Sequence, residues 1–206
     1  MKTRCSLAFC LVLLVSSLSA SEQESQDVVT GVQLFENGQF ITARQFFESF
    51  VRENPRDPRG VFYLGRIAFS EKRYEQAVKW FEKTVQLADD NSDYHLWLGR
   101  AHGHQAMQAN VLRQPFLAWQ VKEHFEKAVA LDPDNLAARA DLMEYYFKAP
   151  GFLGGSREKA KEQAKEIARR DIQQGLQAWE MLGEDKETSL LTGPAGQQKN
   201  EEPPAR

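Results

Sequence analysis

The sequence has almost no cysteine. Cys5 and Cys10 are the two cysteines of the 206-residue chain, and both precede residue 11. No later cysteine is present to form a disulfide bond or to supply a thiolate metal ligand. The rest of the chain must therefore be held together by packing, for which a hydrophobic content of 42% is sufficient in one domain.

The sequence also lacks a basic excess and a readable catalytic motif. Its 26 Lys and Arg residues against 29 Asp and Glu residues give a formal net charge of −3, which argues against general nucleic-acid binding. No Ser/His/Asp or Cys/His arrangement can be identified. Carboxylates such as Glu123, Glu126 and Glu158 fall on ordinary solvated helix faces. We therefore expect a protein that is not an enzyme and that needs no cofactor.

One apolar run stands out, at the start of the chain. Lys2 and Arg4 precede the apolar run 7–15, and small residues fill positions 16, 17, 19 and 20. This order is typical of a secretory signal peptide and is short for a membrane span. Cleavage is expected after Ser19 or Ala20, with an uncleaved anchor helix as the alternative. We expect an exported chain, periplasmic or secreted, with no stable membrane span after cleavage.

The middle of the chain repeats with a period of 34 residues. Glycine recurs at positions 31, 65 and 99, and three further pairs are also 34 apart: Phe40/Tyr74, Ala43/Ala77 and Phe47/Phe81. Within 59–87, apolar residues three and four apart mark two helices separated by the polar turn 70–73. One such helix pair cannot bury its apolar face alone, so neighbouring pairs must stack.

The order of small and large residues in this unit resembles the tetratricopeptide repeat family. It is carried by Leu64-Gly65, followed by Tyr74, Ala77 and Phe81. The resemblance covers roughly 27–170 and implies an all-α fold, a right-handed stack of about four helix hairpins with a C-terminal capping helix. It also implies a binding scaffold and leaves the ligand open.

The resulting organisation is a signal peptide at 1–20, a polar spacer at 21–26, a helical repeat domain at 27–182 and a disordered tail at 183–206. In the third unit about ten residues are inserted within 103–116, because Phe81 and Phe125 are 44 residues apart. We expect a longer first helix to about Ala109, a bend at 110–114 and Pro115 in the first turn of the next helix. Ser156 is expected to cap a helix over 157–170, and a last helix covers 171–182.

The first helix of each hairpin lines the inner surface of such arrays, which predicts a partner-binding groove. Arginines there would bind carboxylates with a planar two-pronged donor set. The expected ligand is a protein or peptide with acidic groups. The residues projected inward are Val32, Phe35, Arg59, Phe62, Arg66, Phe69, Leu96, Arg100, His104, Glu144 and Phe147; those predicted to bind the partner are Arg59, Phe62, Arg66, Phe69, Arg100, His104 and Phe147.

Two other features are candidate sites. His95, His102, His104 and His124 lie close in sequence, but nothing fixes the converging geometry that zinc needs. The glycine-rich stretch 151–156 lacks a preceding strand and a Gly-Lys-Ser/Thr run, so it is interpreted as a structural loop. The leading hypothesis is an exported, non-catalytic scaffold that binds a protein or peptide in its groove. The alternatives are an adaptor subunit of an envelope or secretion assembly that uses the third-unit insertion, and a small-molecule or metal carrier.

Overall fold

The computed structural model describes residues 28–184, and this part of the chain consists of nine α-helices, one short 3-10 turn and no strand. The predicted signal peptide, the polar spacer and residues 185–206 of the predicted tail lie outside the described residues. The helices are α1 (28–36), α2 (Phe40–Glu53), α3 (Pro58–Ser70), α4 (Tyr74–Leu87), α5 (Ser92–Gln108), α6 (Gln114–Leu131), α7 (Leu136–Lys148), α8 (Arg157–Arg170) and α9 (Ile172–Met181), with the 3-10 turn at Gly151–Leu153. The all-α helix-hairpin fold is confirmed.

Short polar side chains begin most of these helices. The Asp57 carboxylate accepts from the amide of Arg59 at the start of α3, and the Asn91 side chain accepts from the amides of Asp93 and Tyr94 at the start of α5. Ser156 caps α8 as predicted, through the amide of Lys159. These side chains satisfy amides that the helix itself leaves without partners, which fixes where each helix begins.

The repeated glycines allow the two helices of a hairpin to approach closely. A Cβ atom on Gly65 would lie 2.5 Å from Cε1 of Phe81, and one on Gly99 would lie 2.6 Å from the Phe125 ring. Gly31 faces Phe47 in the same way, at 2.6 Å. The 34-residue period therefore arises from one repeated contact, in which a glycine of one helix packs against an aromatic ring of the partner helix.

The insertion lengthens both helices of the third hairpin. Helix α5 has 17 residues where α3 has 13, and α6 has 18 where α4 has 14. The extension of α5, the break after residue 108 and the early position of Pro115 in α6 were predicted. The matching extension of α6 was not.

The core lies between the units. Three clusters of buried side chains follow one another along the stack. One joins the first two hairpins, one lies between α3–α4 and α5, and one joins α5–α6 to α7, α8 and α9. Helix α9 covers the last apolar face with Ala178 and Trp179, which are buried. Glu184, just past the predicted boundary at 182, contacts Arg157 and Lys161 of α8.

A structural loop connects α7 to α8. The Tyr145 hydroxyl donates to the carbonyl oxygen of Leu153 at 2.8 Å, and the Ser156 amide donates to the carbonyl oxygen of Tyr146 at 2.8 Å. Gly154 has a φ of +91°, and a Cβ atom on Gly155 would lie 1.8 Å from the carbonyl oxygen of Ala149. Only glycine fits these positions, so the glycines of this stretch are explained by chain reversal.

Candidate functional site

A groove of about 670 Å³ opens along the first helices of the second, third and fourth hairpins. Helix α5 contacts α3 on one side and α7 on the other, so these three helices lie next to one another. Helix α6 and the loop that follows α7 complete the walls. The lining residues are Phe69, Trp97, Arg100, Gly103, His104, Ala106, Met107, Ala118, Val121, Phe125, Asp141, Glu144, Tyr145, Lys148, Ala149, Pro150 and Leu153. An apolar cleft with a few polar groups is the usual form of a ligand site.

Arg66 lies beside this groove within a group of aromatic rings. Its guanidinium carbon is 3.8 Å from the centre of the Trp97 ring and 5.0 Å from that of Phe35, distances at which a cation is attracted to a ring face. Burial lowers the pKa of Arg66, but an arginine stays charged at any physiological pH. Among residues 28–184, Arg66 has no ion pair with a carboxylate, although Asp93 and Glu36 attract its charge at longer range.

Arg100 is held differently. Its Nε atom donates to Oδ2 of Asp141 at 2.5 Å, and its guanidinium carbon lies 4.8 Å from the centre of the Trp97 ring. This ion pair joins α5 to α7 across the floor of the groove. Lys148 and Glu144 form a second pair at 2.5 Å. The charged groups in the groove are therefore largely balanced, and Arg66 provides the exception at its edge.

Phe69 and His104 form one wall of the groove, and Tyr74 stacks on His104. The His104 and Phe69 rings meet edge to face with centres 5.0 Å apart, and His104 stacks on Tyr74 at 4.6 Å. Burial lowers the pKa of His104, so the ring is neutral at neutral pH. This wall offers an aromatic surface with an imidazole at its rim.

The structure brings Phe69, Arg100 and His104 into the groove and places Arg66 against it. Three other predicted residues lie elsewhere. Arg59 is paired with Asp57 at the start of α3. Phe62 is 8% exposed and packs in the core between Phe81 and Tyr94. Phe147 lies under the Arg157 guanidinium, whose carbon is 5.5 Å from the ring centre.

The other residues that were predicted to face inward also divide between the groove and the core. Leu96 is buried in the core, whereas Glu144 lines the groove. Val32 and Phe35 pack against the first core cluster, although Phe35 also contacts Arg66. The spacing of apolar residues therefore predicted which helices line the groove more reliably than it predicted which side chains do.

Trp97 and Tyr145 are groove residues that the sequence reasoning missed. Trp97 holds both Arg66 and Arg100, and Tyr145 shapes the far wall through its bond to Leu153. A signal for Trp97 was present, because Tyr63 and Trp97 are 34 residues apart and each lies three residues before an arginine. Residues three apart share a helix face, so this pairing of ring and guanidinium could have been predicted.

Three of the histidines meet at the crossing of α5 and α6. His95 Nε2 donates to the Asp89 carbonyl oxygen at 2.9 Å, so His95 Nδ1 accepts from His124 Nδ1 at 3.1 Å. His102 stacks on His124 with ring centres 5.7 Å apart. Burial, and then the neighbouring His102 and His95, lower the pKa of His124 to about 4. Burial also lowers the pKa values of His95 and His102. Within residues 28–184 no group of three or more His, Cys, Asp or Glu side chains could hold a metal ion.

Part of the chain is similar to a known family. Residues 30–92 match the model of the tetratricopeptide repeat family. The human protein O-mannosyl-transferase TMTC3 is 23% identical over 140 residues, an alignment that covers 56% of this chain and 15% of that protein. This chain therefore spans only a small part of the length of that relative. No helix between residues 28 and 184 is both long and apolar enough to cross a membrane.

Solved structures share the fold over most of this chain. The thermophilic tetratricopeptide repeat protein TTC0263 of Thermus thermophilus superimposes with a TM-score of 0.63 at 20% identity, over 86% of this chain and 91% of that one. YrrB, described as a tetratricopeptide repeat protein with an unusual peptide-binding site, superimposes with a TM-score of 0.56 at 15% identity, over 88% and 93% of the two chains. At these identities the likeness shows the fold, a helix-hairpin solenoid of tetratricopeptide type.

Proposed function

We propose that this chain, a helical solenoid of tetratricopeptide type, is an exported, non-catalytic scaffold that binds a protein or peptide partner in the groove between α3, α5 and α7. The basis for export is the order of charged, apolar and small residues in the first twenty positions. The observation that carries the binding proposal is the guanidinium of Arg66, fixed among aromatic rings beside an apolar groove and lacking a carboxylate partner in the described chain.

The chemistry of the groove defines the partner. An acidic group of the ligand, either a side chain or a chain end, binds the N–H edges of Arg66 while the face of the guanidinium stays on Trp97. An apolar or aromatic side chain of the ligand then fills the space between Phe69 and Tyr145. YrrB, which has the same fold, is described as binding peptide, and this agrees with a peptide ligand here.

Arg66 gives the most direct test. The full-length protein, with and without Arg66→Glu, is used to recover partners from native extract of the source cells. Loss of a charge-assisted hydrogen bond of about 1.5–3 kcal/mol should lower partner recovery by about tenfold or more. Arg52→Glu is the matched control, because Arg52 is also a helical arginine but lies exposed at the end of α2. Undiminished recovery by Arg66→Glu, with recovery by the control also unchanged, would refute the groove proposal.

Arg100 needs a different design because it is paired. Arg100→Asp alone would place two carboxylates together and destabilise the contact between α5 and α7. The charge swap Arg100→Asp with Asp141→Arg keeps the pair and reverses its direction. If Arg100 only holds the groove together, the swap preserves partner recovery. If Arg100 itself binds the ligand, the swap lowers recovery although the protein remains folded.

A further inference from the structure

A patch of large apolar side chains is exposed at the end of the third hairpin. It comprises Met107 at the end of α5, Val111 and Leu112 in the connection, Phe116 and Trp119 at the start of α6, and Phe152 in the 3-10 turn. Leu112 is 91% exposed and Phe152 is 84% exposed. The 3-10 turn that carries Phe152 packs against α6. We call these six residues the rim patch. Single exposed apolar residues are ordinary, but a cluster of this size marks an interaction surface.

The chain around the rim patch contains no acidic residue. No Asp or Glu occurs between Asp93 and Glu123, or between Glu144 and Glu158, although the whole chain carries a net charge of −3. Arg113 stands in the middle of the patch sequence and has no ion pair among the described residues. Lys122 lies beside the glycine loop, but its ammonium is paired with Glu126 at 4.0 Å. The patch therefore combines apolar side chains with the positive charge of Arg113 on an acidic protein.

The hairpin that carries the patch also projects beyond the second hairpin. Each of its helices is four residues longer than the corresponding helix of the second hairpin, which adds about 6 Å at the tip. Segments that lie in a membrane interface insert by about 5–10 Å, with tryptophan at the level of the headgroups and basic residues facing anionic lipids. A projecting tip with Leu112, Arg113 and Trp119 has these three properties together.

We propose that the rim patch docks the protein on an anionic lipid bilayer surface. Val111, Leu112 and Phe116 enter the interface, Trp119 lies among the headgroups and Arg113 binds a lipid phosphate. This surface adjoins the groove, and Met107 belongs to both the patch and the groove wall. A ligand in the groove would consequently be held next to the membrane.

The test measures whether Trp119 enters the bilayer. Vesicle binding alone would not be enough, because the apolar segment 7–15 of the full-length chain could bind vesicles by itself. The protein is mixed with vesicles of phosphatidylglycerol and phosphatidylcholine in equal amounts, with or without bromine on the acyl chains. Insertion of the tip predicts quenching and a blue shift of tryptophan emission. Trp119→Phe should remove both changes, since Trp179 is buried and Trp80 and Trp97 lie outside the patch.

Two variants and one control complete the experiment. Leu112→Gln should lower the vesicle affinity measured by quenching about tenfold, and Arg113→Gln should weaken binding only when phosphatidylglycerol is present. Ile41→Gln is the control, because Ile41 is 73% exposed on α2, away from the patch, and should leave binding unchanged. All four sites are at the surface, so folding is checked simply by circular dichroism.

Several results would overturn the proposal. These are an absence of Trp119 quenching, quenching that Leu112→Gln does not reduce, or equal binding to vesicles of phosphatidylcholine alone. A dimer in solution that Leu112→Gln dissociates, without quenching by lipid, would show that the patch binds a second copy of the chain. A protein captured through the patch in the absence of vesicle binding would assign it to an assembly partner. Quenching can be seen whether or not the groove binds a peptide, so the two proposals stand or fall separately.

Discussion

Replacing Gly65 by alanine should destabilise the protein, although alanine is the better helix former. The new methyl carbon would lie 2.5 Å from Cε1 of Phe81, whereas carbon atoms in contact lie about 3.5–4.0 Å apart. Phe81 is completely buried, with the Phe62 and Trp97 rings at 5.7 and 6.3 Å, so its ring has little room to move. Overpacking of about 1–3 kcal/mol then exceeds the gain in helix propensity of up to about 1 kcal/mol. We expect a net loss of about 1–2 kcal/mol in the free energy of unfolding.

Gly103 provides the matched control. It also lies within a helix, α5, but a Cβ atom there would lie 3.8 Å from Cγ2 of Val121, an ordinary contact. Gly103→Ala should therefore gain up to about 1 kcal/mol from helix propensity alone. Urea unfolding followed by circular dichroism should separate the two variants by about 1–3 kcal/mol, in opposite directions from the parent protein.

A double variant identifies the cause. Phe81→Leu shortens the side chain that meets the new methyl group, so Gly65→Ala should cost less in the Phe81→Leu background than in the parent. Equal stability of Gly65→Ala and Gly103→Ala would refute the reasoning. So would a cost of Gly65→Ala that does not depend on residue 81, because the repeated glycine would then not be needed for close approach to the aromatic ring.

Three other contacts give further predictions. Burial holds the pKa of His124 at about 4 in the folded protein, below its unfolded value of about 6.5, so acid favours the unfolded chain. The free energy of unfolding should fall by about 1–2 kcal/mol between pH 6.5 and 4, which is less than the whole pKa difference would give because the ring is partly exposed. His124→Gln should flatten this part of a plot of melting temperature against pH. Asn91→Ala removes the cap of α5 and should cost about 1 kcal/mol in urea unfolding, whereas Asn91→Ser should retain most of the stability; equal losses for both would argue against capping. Arg100→Gln and Asp141→Asn should each destabilise the protein by about 1 kcal/mol, and the double variant should cost less than the sum, because the two side chains form one partly buried pair; strict additivity would mean that the pair contributes nothing.

The repeat could be predicted from sequence because it arises from local geometry. Two helices that cross closely need a small residue on one and a ring on the other, and this requirement recurs with every hairpin, as at Gly65 and Phe81 or Gly99 and Phe125. Caps such as Ser156 are equally local, since one side chain bonds an amide three residues away. The helices, their order and the connection after α5 were predicted for these reasons.

The distribution of the insertion could not be predicted in the same way. The spacing of Phe81 and Phe125 fixes the total number of inserted residues but does not fix which helix contains them. Pro115 is compatible with the first turn of a helix, so it marks the beginning of α6 and does not set the length of that helix. The four extra residues of α6 therefore became visible only in the structure.

The groove was predicted as a location more successfully than as a set of side chains. Helical spacing indicates which residues share a face, but the position of that face depends on how neighbouring helices pack. Phe62 has the spacing of an inward residue, yet Tyr94 of the next hairpin covers it, with ring centres 4.9 Å apart. Trp97 was overlooked for the opposite reason, because its neighbour Leu96 was assigned to the open side and is instead buried.

The equal lengthening of α5 and α6 has a consequence for variation among such proteins. Four residues make slightly more than one helical turn, so adding them to both helices moves the tip outward and leaves the crossing at Gly99 and Phe125 in register. A projection of this kind can grow or shrink by whole turns without disturbing the stack beneath it. Reach towards a neighbouring surface can thus be adjusted in steps of one turn, and the buried Leu117 is the side chain that the interior loses when the added turn of α6 is removed.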